Sequence, residues 1–107
     1  MNQQVFVAKL IEQVRRVAER PAMYLGNVTT ASALSFRGGI YCACSALGIT
    51  LTLKICSQAA NSRGWEYGSS GGVNPMREHG LTEEQIVQEL LLNDIKMLEL
   101  VAAGLEA

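Results

Sequence analysis

Histidine occurs once in these 107 residues, cysteine three times and proline twice, and no apolar run approaches the roughly 20 residues of a membrane span. A lone imidazole, His79, leaves no ligand pair for a metal. Cys42 and Cys44, two positions apart on a helix, point about 200° apart around its axis, so no zinc set is expected. An odd number of cysteines in apolar stretches fits buried reduced thiols, not a disulfide framework. The formal net charge of -1 supplies no field that would gather nucleic acid or anionic lipid. Lys9, Arg15, Arg16, Arg20 and Arg37 would make a modest basic patch if the second helix folds beside the first. Glu12 and Glu19 interrupt it, and a solvated helix face is the expected outcome. Met1 to Gln4 carries no basic flank and leads into a segment broken by Lys9, Glu12 and Arg15, so no secretory signal is read and a cytoplasmic protein is expected. No repeat, linker or low-complexity tract divides the chain, which predicts one domain over 1–107.

What is present suffices for a core. Apolar residues make up 49% and charged residues 18% of the chain, and a domain of this length buries roughly 60 to 70% of its unfolded surface. Phe6, Leu10, Val14 and Val17, joined by Val7 and Ile11, recur at helical spacing and predict a helix from Gln4 to Glu19. A second helix is expected after an N-cap at Thr29 or Thr30, with Ala33, Phe36, Ile40, Ala43, Cys44 and Leu47 along one face until Gly48. Gly38 and Gly39 each cost about 1 kcal/mol relative to alanine inside it, which predicts close approach by another backbone. Gly38, Cys42 and Ser45 would form that narrow strip.

The last helix has the clearest signals. Thr82 with Gln85 forms a capping box, Glu83 and Glu84 suit the positive end of the helix dipole, and the helix is expected to run to about Ala103. Its buried stripe passes through Ile86, Val87, Leu90, Leu91, Ile95, Met97, Leu98 and Val101, with Asp94 expected at the edge of a contact. The middle of the chain admits two readings. Ile49, Leu51, Leu53 and Ile55 alternate with polar neighbours, which suits a strand over 50–56 paired with 64–68 in a short ribbon. The rival is a helix capped by Thr50 and stopped at Gly64, and the helical reading is favoured. Gly68-Ser69-Ser70-Gly71-Gly72 reads as a flexible loop, followed by an Asn74 cap, Pro75 and one short turn to Gly80. The fold expected is therefore mainly α, a compact helical domain of three to four helices, with the ribbon as the open alternative.

Arg20-Pro21-Ala22-Met23-Tyr24-Leu25-Gly26 is the most distinctive stretch. Pro21 ends the first helix, Gly26 permits a positive φ, and three bulky apolar residues lie between them at a rigid corner. They are expected to plug a groove between helices or between subunits. The run resembles the amino-terminal corner of the DNA gyrase B subunit and its ATPase relatives, where a helix ends in Arg-Pro-Gly-Met-Tyr-Ile-Gly. That family carries an acidic residue and an Asp-Asn pair on its next helix. This chain has Phe36-Arg37-Gly38-Gly39-Ile40-Tyr41-Cys42-Ala43 there, with no carboxylate, and is too short for the ATP-binding sheet. The corner also resembles that of small bacterial and phage proteins, some of them immunity-like and encoded beside toxins, with Ala22 in place of the usual glycine. That resemblance implies a protein that works by binding another protein.

The function expected is a non-enzymatic inhibitor: an immunity protein, or a phage-encoded antagonist of a bacterial defence system such as CRISPR, whose partner is a toxin or a defence component. Arg20, Met23, Tyr24, Trp65 and Tyr67 are the contact candidates, because aromatic, methionine and arginine residues favour interface centres. A homodimer through Gly38, Cys42 and Ser45, or through the long last helix, is expected, with no catalytic group, cofactor or metal. The alternative is a small enzyme or nucleotide-binding module using Cys44, or Cys56, with His79, oriented by Asp94, and the Gly68 to Gly72 loop. That loop lacks the lysine of a P-loop. Glu83, Glu84 and Glu89 are read as cap and solvated face.

Overall fold

The computed structural model describes residues 2–106, which fold into six helices with no strand among the described residues. Helix α1 spans Gln3–Glu19, with Asn2 at its N-cap accepting from the Gln4 and Val5 amides. Helix α2 is the five-residue turn Pro21–Leu25, and α3 spans Thr30–Ala46 behind a Thr29 cap that accepts from the Ser32 amide. Helices α4, Leu53–Ser62, and α5, Val73–Glu78, precede the long α6, Glu83–Glu106.

Helix α6 is the axis on which α1, α3, α4 and α5 pack. The capping box closes as its residue types require, with the Thr82 amide 2.8 Å from Gln85 Oε1 and the Gln85 amide 3.2 Å from Thr82 Oγ1. Gln4 donates to the Leu105 carbonyl and Arg15 lies near Glu99, so α1 runs antiparallel to α6. Thr30 meets Glu83 while Arg37 meets Leu90 and Asp94, so α3 runs parallel to it. Cys56 meets Met97 and Arg63 meets Glu89, which sets α4 antiparallel. Val7, Ile11, Val14 and Val17 of α1 bury against the α6 stripe, where Leu90, Leu91 and Leu98 are at most 1% exposed. Each such leucine contributes roughly 1.5 to 3 kcal/mol of burial. The stripe passes Gly104 and carries the helix to Glu106, beyond the expected end at Ala103.

Several expectations are corrected. The ribbon over 50–56 and 64–68 is absent: Thr52, not Thr50, caps α4 through the Ile55 amide, and Cys56, Ala59 and Ala60 bury at helical spacing. The period of two was coincidental, since Ile49 and Leu51 lie in the connector and Leu53 is 70% exposed. A helix buries one stripe against α6, whereas a lone two-stranded ribbon is marginal. The count exceeds three to four because the corner and the Val73 segment each close a helical turn of their own. Gly72, not Asn74, caps α5, and Ser70 Oγ accepts from the Asn74 amide.

Arg37 is no part of a basic surface patch. It is 5% exposed, and Asp94, expected at an edge, is 1% exposed beside it. The Gly38-Gly39 pair faces open space, with nothing within 4 Å of a Cβ added at either position, so no backbone of this chain approaches it.

Candidate functional site

The corner is built as the proline and glycine demand. Pro21 occupies the first position of α2, where its missing N–H costs nothing, and Gly26, at φ 74°, ends the turn by donating to the Ala22 carbonyl. No residue of α2 is buried, and its two largest apolar side chains face outward, Met23 at 69% and Tyr24 at 49% exposure. They do not plug a groove within the chain. Arg20, Pro21, Ala22, Met23 and Val28 instead form one wall of an open groove of about 820 Å3, with Glu84, Gln85 and Gln88 of α6 opposite.

Gln85 and Gln88 also line a second hollow of about 280 Å3 beside Trp65, Leu81 and Glu89. From there a shallow trough continues along α6. A hollow of about 230 Å3 lies between Arg15, Ala18 and Glu19 of α1 and Gln88, Leu92 and Ile95 of α6. Another of about 310 Å3 has Ser62, at the end of α4, and the following Arg63 on one side and Leu92, Lys96 and Glu99 on the other. The outward face of α6 from Glu84 to Glu99 is thus a floor, with α1 and α2 along one side and α4 with Trp65 along the other.

Trp65 is held rigidly on its side of this floor. Its Nε1 donates to Glu89 Oε1 at 2.9 Å, Arg63 Nη2 lies 2.9 Å from both oxygens of the same carboxylate, and its ring meets His79 edge to face at 5.4 Å. Glu89, read as solvated, is the anchor of an aromatic residue. Tyr67 belongs elsewhere. Its hydroxyl lies 3.2 Å from that of Tyr41, which is 3.2 Å from Cys56 Sγ, and burial with these two bonds pushes the Tyr41 phenol well above its usual range.

Arg20, Met23 and Trp65 therefore share one face, Tyr24 sits exposed beside it, and Tyr67 does not line it. Gln88 and Leu92 were not singled out in the sequence, and Gln85 figured there only as the capping-box partner of Thr82; their signal as a surface was the helical stripe left over once the buried face of α6 is removed. Gly38, Cys42 and Ser45 lie exposed on α3, off the side formed by Thr30, Ala33, Arg37, Ile40 and Cys44.

The residues of the enzymatic alternative are separated. Cys44 is fully buried, its carbonyl accepts from Leu47 and Ile49 at the end of α3, and burial pushes its thiol up. His79 is exposed at the end of α5, with Nδ1 3.0 Å from the Pro75 carbonyl. The Gly68 to Gly72 loop is anchored, not loose: the Gly72 amide donates to Tyr67 O at 2.7 Å, and Arg37 Nη1 donates to Gly71 O at 3.3 Å. No helix is long and apolar enough to cross a membrane, and no group of three or more metal-ligating side chains gathers, among the described residues.

Beneath the loop lies a buried charge pair. Arg37 Nε bonds Asp94 Oδ1 at 2.5 Å and Nη2 donates to the Leu90 carbonyl at 3.3 Å. Burial pushes the Asp94 carboxyl up to about 6 against the pull of Arg37; burial likewise pulls the Arg37 guanidinium down, but Asp94 together with Tyr67 and Tyr41 leaves it above its ordinary value and charged. At the surface, the Thr30 amide holds the Glu83 carboxyl below its usual range. Comparison of the chain with known protein families, with curated proteins and with solved structures found no match in any of the three.

Proposed function

We propose that this chain is a non-enzymatic binding protein that occludes a surface of another protein, using the outward face of α6 between the α2 corner and Trp65. The observation that carries this is Met23: an unbranched apolar side chain, 69% exposed, fixed between a proline and a left-handed glycine above a groove of about 820 Å3. Met23 is not isolated: exposed Tyr24 adjoins it, and Pro21, Ala22 and Val28 line the groove beside it, so the corner offers a contiguous apolar patch of the kind that marks interaction sites. Trp65, anchored by Glu89, supplies a second rigid contact, and methionine, tryptophan and arginine are the residue types that dominate interface centres. The partner class is the one the immunity-like resemblance implies, a toxin or a component of a bacterial defence system. A second copy is proposed to pack on the exposed strip of Gly38, Cys42 and Ser45, whose two neighbouring glycines have no packing reason within one chain.

The test is capture of a partner from the native host by the purified chain. Met23→Asp and Trp65→Ala are each expected to weaken recovery of a dominant protein at least about 10-fold, roughly 1.4 kcal/mol, with Lys54→Ala unchanged as control. Equal recovery by all three variants would remove the proposal. A nucleotide-induced thermal shift abolished at Gly71 would favour the enzymatic alternative.

A further inference from the structure

Buried charge is costly in a helical domain this small, and apolar side chains of similar volume are often as stabilising or more so. The cost here is raised by groups without protein partners: Asp94 Oδ2, and both ends of the neighbouring Asn93 amide. What an apolar pair could not do is donate to backbone. Arg37 reaches from α3 to the carbonyl of Gly71, in the connection between α4 and α5, while Asp94 fixes the guanidinium from α6. Without Arg37 that carbonyl, in a loop that folds back on itself through the Gly72 amide, loses its side-chain donor. Gly71 is fitted to this contact: at φ 66° it takes a conformation side chains rarely adopt, and an added Cβ would come 3.2 Å from Arg37 Nη1.

The connection 63–72 has no helix or strand between α4 and α5 and is held at both ends by α6. Glu89 binds Arg63 and Trp65 at its entrance, and Asp94 acts through Arg37 at its exit. Between them Tyr67 pairs with Tyr41.

We propose that the Arg37–Asp94 pair is a clasp for the strap 63–72, a positioning device that fixes where the strap carries Trp65, and not a support of the helical frame. Its consequence for partner recognition rests on the function proposed above. The clasp itself is testable with no partner present.

The test is hydrogen exchange on the full chain at neutral pH, comparing the unaltered protein with Arg37→Met/Asp94→Leu. The Gly72 amide is expected to exchange at least 10-fold faster and Trp65 fluorescence to become more accessible to acrylamide, with amides in the middle of α1 and α6 unchanged. Unchanged exchange at Gly72, or an equal rise along α6, would overturn the proposal. Gly71→Ala leaves both charges in place but strains the backbone at φ 66° and presses its Cβ against Arg37 Nη1. Its Gly72 amide is expected to speed up likewise, and no change there would overturn the proposal on its own.

Discussion

The two sides of α6 are built on different principles. Toward α1 the buried contact is apolar, Val7, Val14, Leu91 and Leu98 among its residues, and the polar contacts of Gln4 with Leu105 and Arg15 with Glu99 lie at its exposed edges. Toward α3 and the strap it contains Arg37, Asp94 and Asn93, with polar atoms lacking protein partners. The first side supplies stability by burial and close packing of apolar side chains. The second spends stability on directed bonds that only one arrangement of the strap satisfies.

Halving the charged side gives the largest expected effect. Asp94→Ala leaves Arg37 buried without a counter-charge and is expected to cost about 3 to 5 kcal/mol in urea denaturation, whereas the apolar double replacement is expected near the unaltered value. A double variant as unstable as the single one would erase the distinction between the two sides. On the apolar side, Leu98→Ala opens a cavity at a fully buried position and is expected to cost about 2 to 5 kcal/mol without loosening the strap. Selective loss of Gly72 protection in that variant would show that the sides are not separable.

Acid sharpens the comparison next. The Asp94 carboxyl sits at about 6 in the folded chain, above its unfolded value of about 3.9, so the folded state binds the proton more readily. Relative to the unfolded chain, its contribution to stability therefore grows as pH falls from about 7 to about 4, and Asp94→Asn is expected to flatten this trend. Glu83 has the opposite sign: its carboxyl is held down, and its contribution is lost below the usual carboxylate range. Urea titrations across these windows separate the two. Thr52→Ala removes the α4 cap and is expected to cost about 1 kcal/mol by the same measurement. Smallest is Gly38→Ala, expected to stabilise the single chain by roughly 0.5 to 1 kcal/mol, since its Cβ meets nothing. A fall in solution mass in that variant would place a second copy on the strip, and an unchanged mass would exclude Gly38 from any dimer contact.

Local chemistry was legible in the sequence and distant pairing was not. A cap at Thr29 or Thr30, of which Thr29 serves, Thr82 with Gln85, and the helical periods of α1, α3 and α6 depend on neighbours a few residues away, and all were readable. The burial of Arg37 depends on Asp94, 57 residues later, and nothing near either residue signals the other. The break in the apolar stripe at Asp94 was visible; its meaning required the partner. Glu89 was misread for the same reason, because Arg63 and Trp65 reach it from another element. At the corner, Pro21 and Gly26 marked the boundaries, but the exposure of Met23 follows from how α2 packs on α1 and α3 across an open groove from α6 and not from its own residues.

The outward face of α6 is tested most directly by a photoreactive residue placed at Gln88, which lines three of the hollows, and at Lys54, exposed near the start of α4. In the native host, irradiation is expected to join position 88 to one dominant foreign polypeptide and to leave position 54 without it. The same adduct from both positions, or none from position 88, would contradict the assignment of this face.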